Sequence, residues 1–155
     1  MRRRRAEKRP RVADLVYNDK VIGLFINIIM RQGKKSTAQR IVYGALDRVK
    51  EKLSQEPLDI FYKAIDNVRP QVEVRPRRIG GATYQIPMEV PWERGVGIAL
   101  RWIRDIARSR KGKPMEVKLA EEIINAYKGE GQAIKKRDDT HKMAEANKAF
   151  AHFRW

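Results

Sequence analysis

Apolar residues recur at three- and four-residue steps through most of this chain, and prolines or glycines cut the pattern into segments. Such spacing puts the apolar side chains of each segment on one face of a helix and limits the chain to a packed helical body. Residues 21–30 are apolar at nearly every position, predicting a short helix buried on most sides, with Asn18 and Asp19 as cap candidates and Gly33 as its stop. Ser36 and Gln39 have capping-box spacing ahead of a second helix whose stripe is Ala38, Ile41, Val42, Ala45, Leu46, Val49 and Leu53. Pro57 opens a third, striped by Leu58, Phe61, Ile65 and Val68 and ended by Pro70. Pro91 opens a fourth with Val96, Ala99, Leu100, Ile103, Ile106 and Ala107 inward, and 115–128 form a fifth around Leu119, Ile123 and Tyr127. A sixth, weaker helix covers about 132–149, with Ile134, Met143 and Phe150 among alanines. No solenoid repeat is evident.

Between the third and fourth helices the period changes. Residues 73–90 read EVRPRRIGGATYQIPMEV, and Gly80-Gly81 is a dipeptide that reverses a chain tightly because both residues accept positive φ. The implied hairpin pairs Ile79 with Ala82, Arg77 with Tyr84, Arg75 with Ile86 and Glu73 with Met88 on one face. Arg78–Thr83, Pro76–Gln85 and Val74–Pro87 lie on the other. Neither face is cleanly apolar near the turn, so the outer half should project while the base packs. Pro76 and Pro87 blunt the ribbon against pairing with a further strand. The expected fold is therefore mainly α: a single domain of about six helices with a protruding two-stranded antiparallel β-hairpin at about 72–90. That domain spans 12–155 and follows a basic arm at 1–11.

The net charge of +16 and pI near 10.4 demand a polyanionic partner. There is no cysteine, hence no disulfide or thiolate chemistry, and a reducing cytoplasm suits the chain. The longest apolar run is about half of a bilayer span, and the basic start lacks a secretory pattern, so neither membrane nor export is expected. The arm MRRRRAEKRPR carries Arg2, Arg3, Arg4, Arg5, Lys8, Arg9 and Arg11 against Glu7. Lys34 and Lys35 precede the second helix, where free backbone N–H groups and the helix dipole add to their pull on phosphate. On the fourth helix Arg94, Arg101 and Arg108 are spaced by seven, with Arg104 and Lys111 on the adjoining face. Lys113 lies just before the start of the fifth helix, and Lys135, Lys136 and Arg137 lie on the sixth. Arg75, Arg77 and Arg78 stand on the hairpin beside Tyr84, which offers a stacking platform. Charge distributed over so many elements points to folded RNA wrapping the protein.

The rival reading is an architectural DNA-binding protein with a basic β-arm, Pro76 or Ile79 acting as the wedge. Catalysis is not expected. Asp138, Asp139 and His141 crowd together, but adjacent helical residues diverge by about 100°. Glu121 and Glu122 fail for the same reason, and GKKST at 33–37 lacks the phosphate-loop glycines. No metal, cofactor or small-molecule substrate is implied. The terminal FAHFRW, with Phe150, Phe153, Arg154 and Trp155, has three open readings: folding onto the body, stacking on RNA, or docking against a neighbouring protein.

GKKSTAQRIVYGALD at 33–47, RPRRIGGATYQIPMEV at 75–90 and RDDTHKMAEANKAFAHFRW at 137–155 resemble bacterial-type small-subunit ribosomal protein seven, in that family's order and over nearly the whole chain. The resemblance implies a helical domain with a protruding hairpin. It implies a structural protein of the small ribosomal subunit that binds the 3′ major domain of 16S ribosomal RNA and nucleates head assembly. It further implies a place in the cytoplasmic ribosome near the exit-site tRNA and the messenger exit path, beside the small-subunit protein numbered eleven and other head proteins. By position, Arg2 to Arg11, Lys34, Lys35, Ser36, Arg75, Lys113 and Met115 would touch ribosomal RNA, joined by Arg94, Arg101 and Arg108 of the basic stripe. Arg77, Arg78, Gly80, Gly81 and Tyr84 of the hairpin, with Lys136 and Arg137 of the last helix, would lie near tRNA and messenger. The chain departs from many family members at its start, where Arg2 replaces a proline.

Overall fold

Asp19 decides where the first helix begins. In the computed structural model, which describes residue 6 and residues 10–153, its carboxylate accepts from the backbone N–H of Val21 (2.7 Å) and Ile22 (2.8 Å). Two of the orphan donors of α1 (Lys20–Ile29) are thereby satisfied. The chain continues through α2 (Lys35–Leu53), α3 (Pro57–Val68), β1 (Val72–Ile79), β2 (Ala82–Glu89), α4 (Trp92–Ser109), α5 (Met115–Lys128) and α6 (Gln132–Ala146), and closes in a 3-10 segment, Lys148–Phe153. Among the described residues no helix is long and apolar enough to cross a membrane.

The stripes converge on one core. Phe25, Ile26, Leu46, Phe61, Ile65, Leu100, Ile103, Leu119 and Ile123 are fully buried, and the Phe25 and Phe61 rings meet at 5.4 Å. Each such side chain contributes roughly 1.5–3 kcal/mol through burial. α5 lies centrally, against α2, α3 and α4. Glu122, on α5, is completely buried, pairs with Arg110, and accepts from the N–H of Ala133 at 3.2 Å. One carboxylate thus ties the end of α4 to the start of α6.

The N-terminal segment is bolted across α1. Asp14 is 6% exposed and accepts from Val16 N–H, Tyr17 N–H and, at 2.6 Å, the Tyr43 hydroxyl. The Val12 carbonyl comes so close to Gly23 that a Cβ there would lie 2.6 Å from it, so only glycine admits this path.

The hairpin register is the one that the Gly-Gly turn predicts, Ile79 to Ala82 through Glu73 to Met88, with φ of 56° and 88° at Gly80 and Gly81. Ile86, Pro87 and Val90 are buried at the base, while residues 80–83 are exposed.

Three expectations are corrected. α2 begins at Lys35, without a side-chain cap, because Lys34 N–H and Lys35 N–H bond back to Arg31 and Gly33. That turn puts Ser36 inside the helix, and the Ser36–Gln39 box does not form. Gly33 lies in the same turn with φ of 72°, whereas α1 has already ended at Ile29. α6 stops at Ala146 rather than near 149, where the Asn147 side chain donates to the Met143 carbonyl (2.7 Å) and the chain tightens to 3-10 geometry. Residues three apart then eclipse, so Phe150 and Phe153 share a face.

Candidate nucleic-acid interface

The end of α1, the starts of α2 and α5 and the end of α4 meet around an open cleft of about 440 Å³. Its floor is Ile29, Ala38, Ile41 and Met115, and its rim includes Arg31, Gln32, Lys34, Thr37, Arg108 and Lys118. None of its described lining residues is a carboxylate. α2 and α5 both start there, after Lys34 and Pro114, without a side-chain cap, so their positive dipole ends add to the rim charge. Burial and the like charges of Arg31 and Arg104 lower the proton affinity of Arg108, as crowded cations should. Arg108 also donates to the Ile29 carbonyl at 2.9 Å and Arg104 to that of Ile28, so both arginines satisfy the open end of α1. The one acid in the first turn of α5, Glu116, is held by Arg48 at 2.8 Å.

At the hairpin base, two arginines expected as separate contacts share one acid. Glu73 takes Arg75 at 2.7 Å and Arg94 at 2.9 Å. Burial raises its pKa, but the bonds from Arg94 and Arg75 outweigh that and hold it below its ordinary value of 4.5. Arg78, Gly80 and Gly81 are exposed at the tip. Tyr84, expected as a platform for bases, is half-buried under the C-terminal segment, its ring 5.2 Å from Phe150 and 5.8 Å from Phe153.

Of the remaining expected contacts, Arg101 is exposed on α4, and Lys35 and Ser36 are exposed beside the cleft. Lys113 bonds Glu121 at 2.5 Å. Arg11 lies 3.9 Å from Glu93. Lys136 sits over the Trp102 ring at 5.6 Å, and Arg137 bonds both Asp138 and the Asn67 carbonyl at the end of α3. Arg2, Arg3, Arg4, Arg5, Lys8 and Arg9 lie outside the described residues, as do Arg154 and Trp155. Sequence reasoning missed Arg31, Gln32, Thr37 and Lys118. A signal existed for them: the first three share a loop and helix start with Lys34, and Lys118 follows Met115 by one helical turn.

Residues 1–148 match the family profile described as Ribosomal protein S7p/S5e. The chain belongs to that family. It is similar over its whole length to proteins named small ribosomal subunit protein uS7: 59% identical to that of Thermotoga petrophila and 61% to that of Fervidobacterium nodosum, each over 155 residues and all of both chains. Against the protein of Anaeromyxobacter sp. it is 56% identical over 154 residues, 99% of each. The S7p/S5e family is structural rather than catalytic. The acids and histidine of α6 are used accordingly in this member: Asp138 neutralises Arg137, and His141 Nε2 accepts the Gln71 N–H at 3.0 Å, fixing the chain as it enters β1. Among the described residues no group of acids, histidines or cysteines is arranged to hold a metal ion.

Proposed function

We propose that this S7p/S5e-family protein binds the folded 3′ major domain of 16S ribosomal RNA, with the cleft between α1, α2, α4 and α5 as its principal contact. One observation carries the reading: two uncapped helix starts converge with Arg31, Lys34, Arg108 and Lys118 on a cleft whose described lining holds no acid. Phosphate oxygens suit the rim, and the floor of Ile29, Ile41 and Met115 suits ribose and base faces. The relatives' naming as small-subunit proteins supports the ribosome as the site of action and ribosomal RNA as the partner. On this reading the protein nucleates the subunit head in the cytoplasmic ribosome. Lys35, Ser36, Lys113 and the arm residues Arg2 to Arg11 extend the RNA contact, with Arg75, Arg94 and Arg101 along the hairpin base and α4. The hairpin tip and α6 face the exit-site tRNA and messenger path, beside the protein numbered eleven.

The test is binding of the full chain to a 3′ major domain transcript over a salt series, with duplex DNA and unrelated RNA as competitors. Tight binding that withstands both competitors is expected. Equal displacement by duplex DNA would sink the reading and favour an architectural DNA-binding protein.

A further inference from the structure

The hairpin is fastened to the body at two heights. At its base, His141 holds the Gln71 N–H and Arg94 holds Glu73. Beside that base an open groove of about 420 Å³ is lined by Val72, Pro87, His141, Ala144, Lys148 and Ala151, while Ile86, Pro87 and Val90 are buried where the ribbon meets the body. Apolar packing, an ion pair and a hydrogen bond confined to one end of a ribbon form a pivot. They set where it starts and constrain its angle weakly.

The second fastening lies higher. Tyr84 is five residues up β2 from Glu89, about 17 Å by strand rise. There its ring is held between Phe150 (5.2 Å, tilted 56°) and Phe153 (5.8 Å, tilted 36°), and His152 backs Phe153 at 4.0 Å. The 3-10 geometry brings both phenylalanines to the same face, and Asn147 sets the break that starts it. Tyr84 stands opposite Arg77 in the register, so whatever holds Tyr84 also holds the face from which Arg77 leaves the ribbon. A restraint far from a pivot limits rotation more than one beside it.

We propose that Phe150 and Phe153 are positioning residues: they clamp Tyr84, set the angle of the hairpin, and thereby aim its arginine-bearing tip at RNA. The proposal rests on the RNA-binding reading for its target, but the clamp itself operates in the free protein. It assigns the C-terminal segment a task that none of its side chains performs by touching RNA.

Because the chain has no cysteine, introduced cysteines are unique labels. Nitroxides at Ala82→Cys, at the exposed tip, and Glu51→Cys, exposed on α2, report the hairpin angle by pulsed dipolar spectroscopy on the full chain without RNA. A single narrow distance distribution is expected, broadened at least twofold by Phe150→Ala/Phe153→Ala and kept narrow by Phe150→Leu/Phe153→Leu. Circular dichroism verifies that the helices persist in each variant. An iron chelate at Ala82→Cys then maps the tip on the 3′ major domain transcript, with a chelate at Asn27→Cys, exposed on α1 one turn before the cleft wall, as reference. In the alanine variant the tip cleavages should weaken several-fold and spread, while the α1 cleavages stay in place. An unchanged distance width overturns the clamp. A broadened width with unchanged tip cleavage overturns its role in aiming the tip. Absence of cleavage from both chelates in the otherwise unaltered chain overturns the RNA-binding reading instead, and the distance measurement still judges the clamp.

Discussion

The cleft and the hairpin both carry concentrated positive charge, yet they are built in opposite ways. In the cleft, cations are set by helix ends: Arg108 is pinned to a carbonyl of α1, and two helix dipoles point inward with no acid in the described lining. At the hairpin, Glu73 already neutralises part of the charge at the base, and the ribbon is held by its buried base, an ion pair, one hydrogen bond and, higher up, three aromatic rings. The cleft is preorganised, so on the proposed reading RNA would gain its attraction without ordering the site. The hairpin is adjustable and suits contacts whose position matters more than their strength. Under the proposed RNA-binding function, the two basic surfaces would divide the work into affinity and aim.

The largest effect should come from the cleft. Replacing Arg31, Lys34 and Arg108 together with alanine removes three cations, and at about 1 kcal/mol per charge-assisted contact RNA affinity should fall by roughly 100-fold. The log–log salt slope should drop by about 2–3, since each lost phosphate contact contributes about 0.7–0.9. A retained slope would mean that the cleft does not hold phosphates. A melting curve separates this from the stability lost with the Arg108 cap on α1.

Replacing Arg75, Arg77 and Arg78 with alanine should cost less than about tenfold in RNA affinity, because Arg75 is already paired with Glu73. Contacts on the tRNA side should weaken more, as read by crosslinking from the tip. The helical circular-dichroism signal should not change. A loss larger than that of the cleft variant would reverse the division of labour.

The smallest effect belongs to Glu73→Gln. Its partners are nearly half exposed, at 44% and 48%, so solvent screening leaves at most about 1 kcal/mol, read as a shift in melting temperature. The sign follows from the lowered carboxyl pKa. A group whose pKa is depressed by folding stabilises above its unfolded value near 4.5, and that contribution is lost as pH falls through the lower folded value. The parent and Glu73→Gln melting temperatures should therefore converge as pH drops below about 4.5. A gap that persists in acid would show that the ion pair does not fasten the hairpin.

Much of this could be read directly from the residues. Pro57 at the start of α3, the stripes of α4 and α5, and the Gly80-Gly81 register all rest on local rules: spacing, forced φ, and tolerance of positive φ. The charge pattern by itself pointed to a polyanion as partner; Lys34 was legible as a candidate from its place before a helix start and Arg108 from the seven-residue stripe, whereas Met115 came only from the family resemblance. What only the tertiary structure decided was which charges remain available and which are spent. Arg137 and Arg101 both read as exposed basic positions, but Arg137 bonds Asp138 and caps α3 whereas Arg101 stands exposed on α4, and Lys136 lies on Trp102. Tyr84 reads as an open platform until Phe150 and Phe153, more than sixty residues later, close over it. The reason is physical. Helix and turn preferences are set within a few bonds, whereas the partner of a side chain depends on how distant elements pack, which local spacing does not encode.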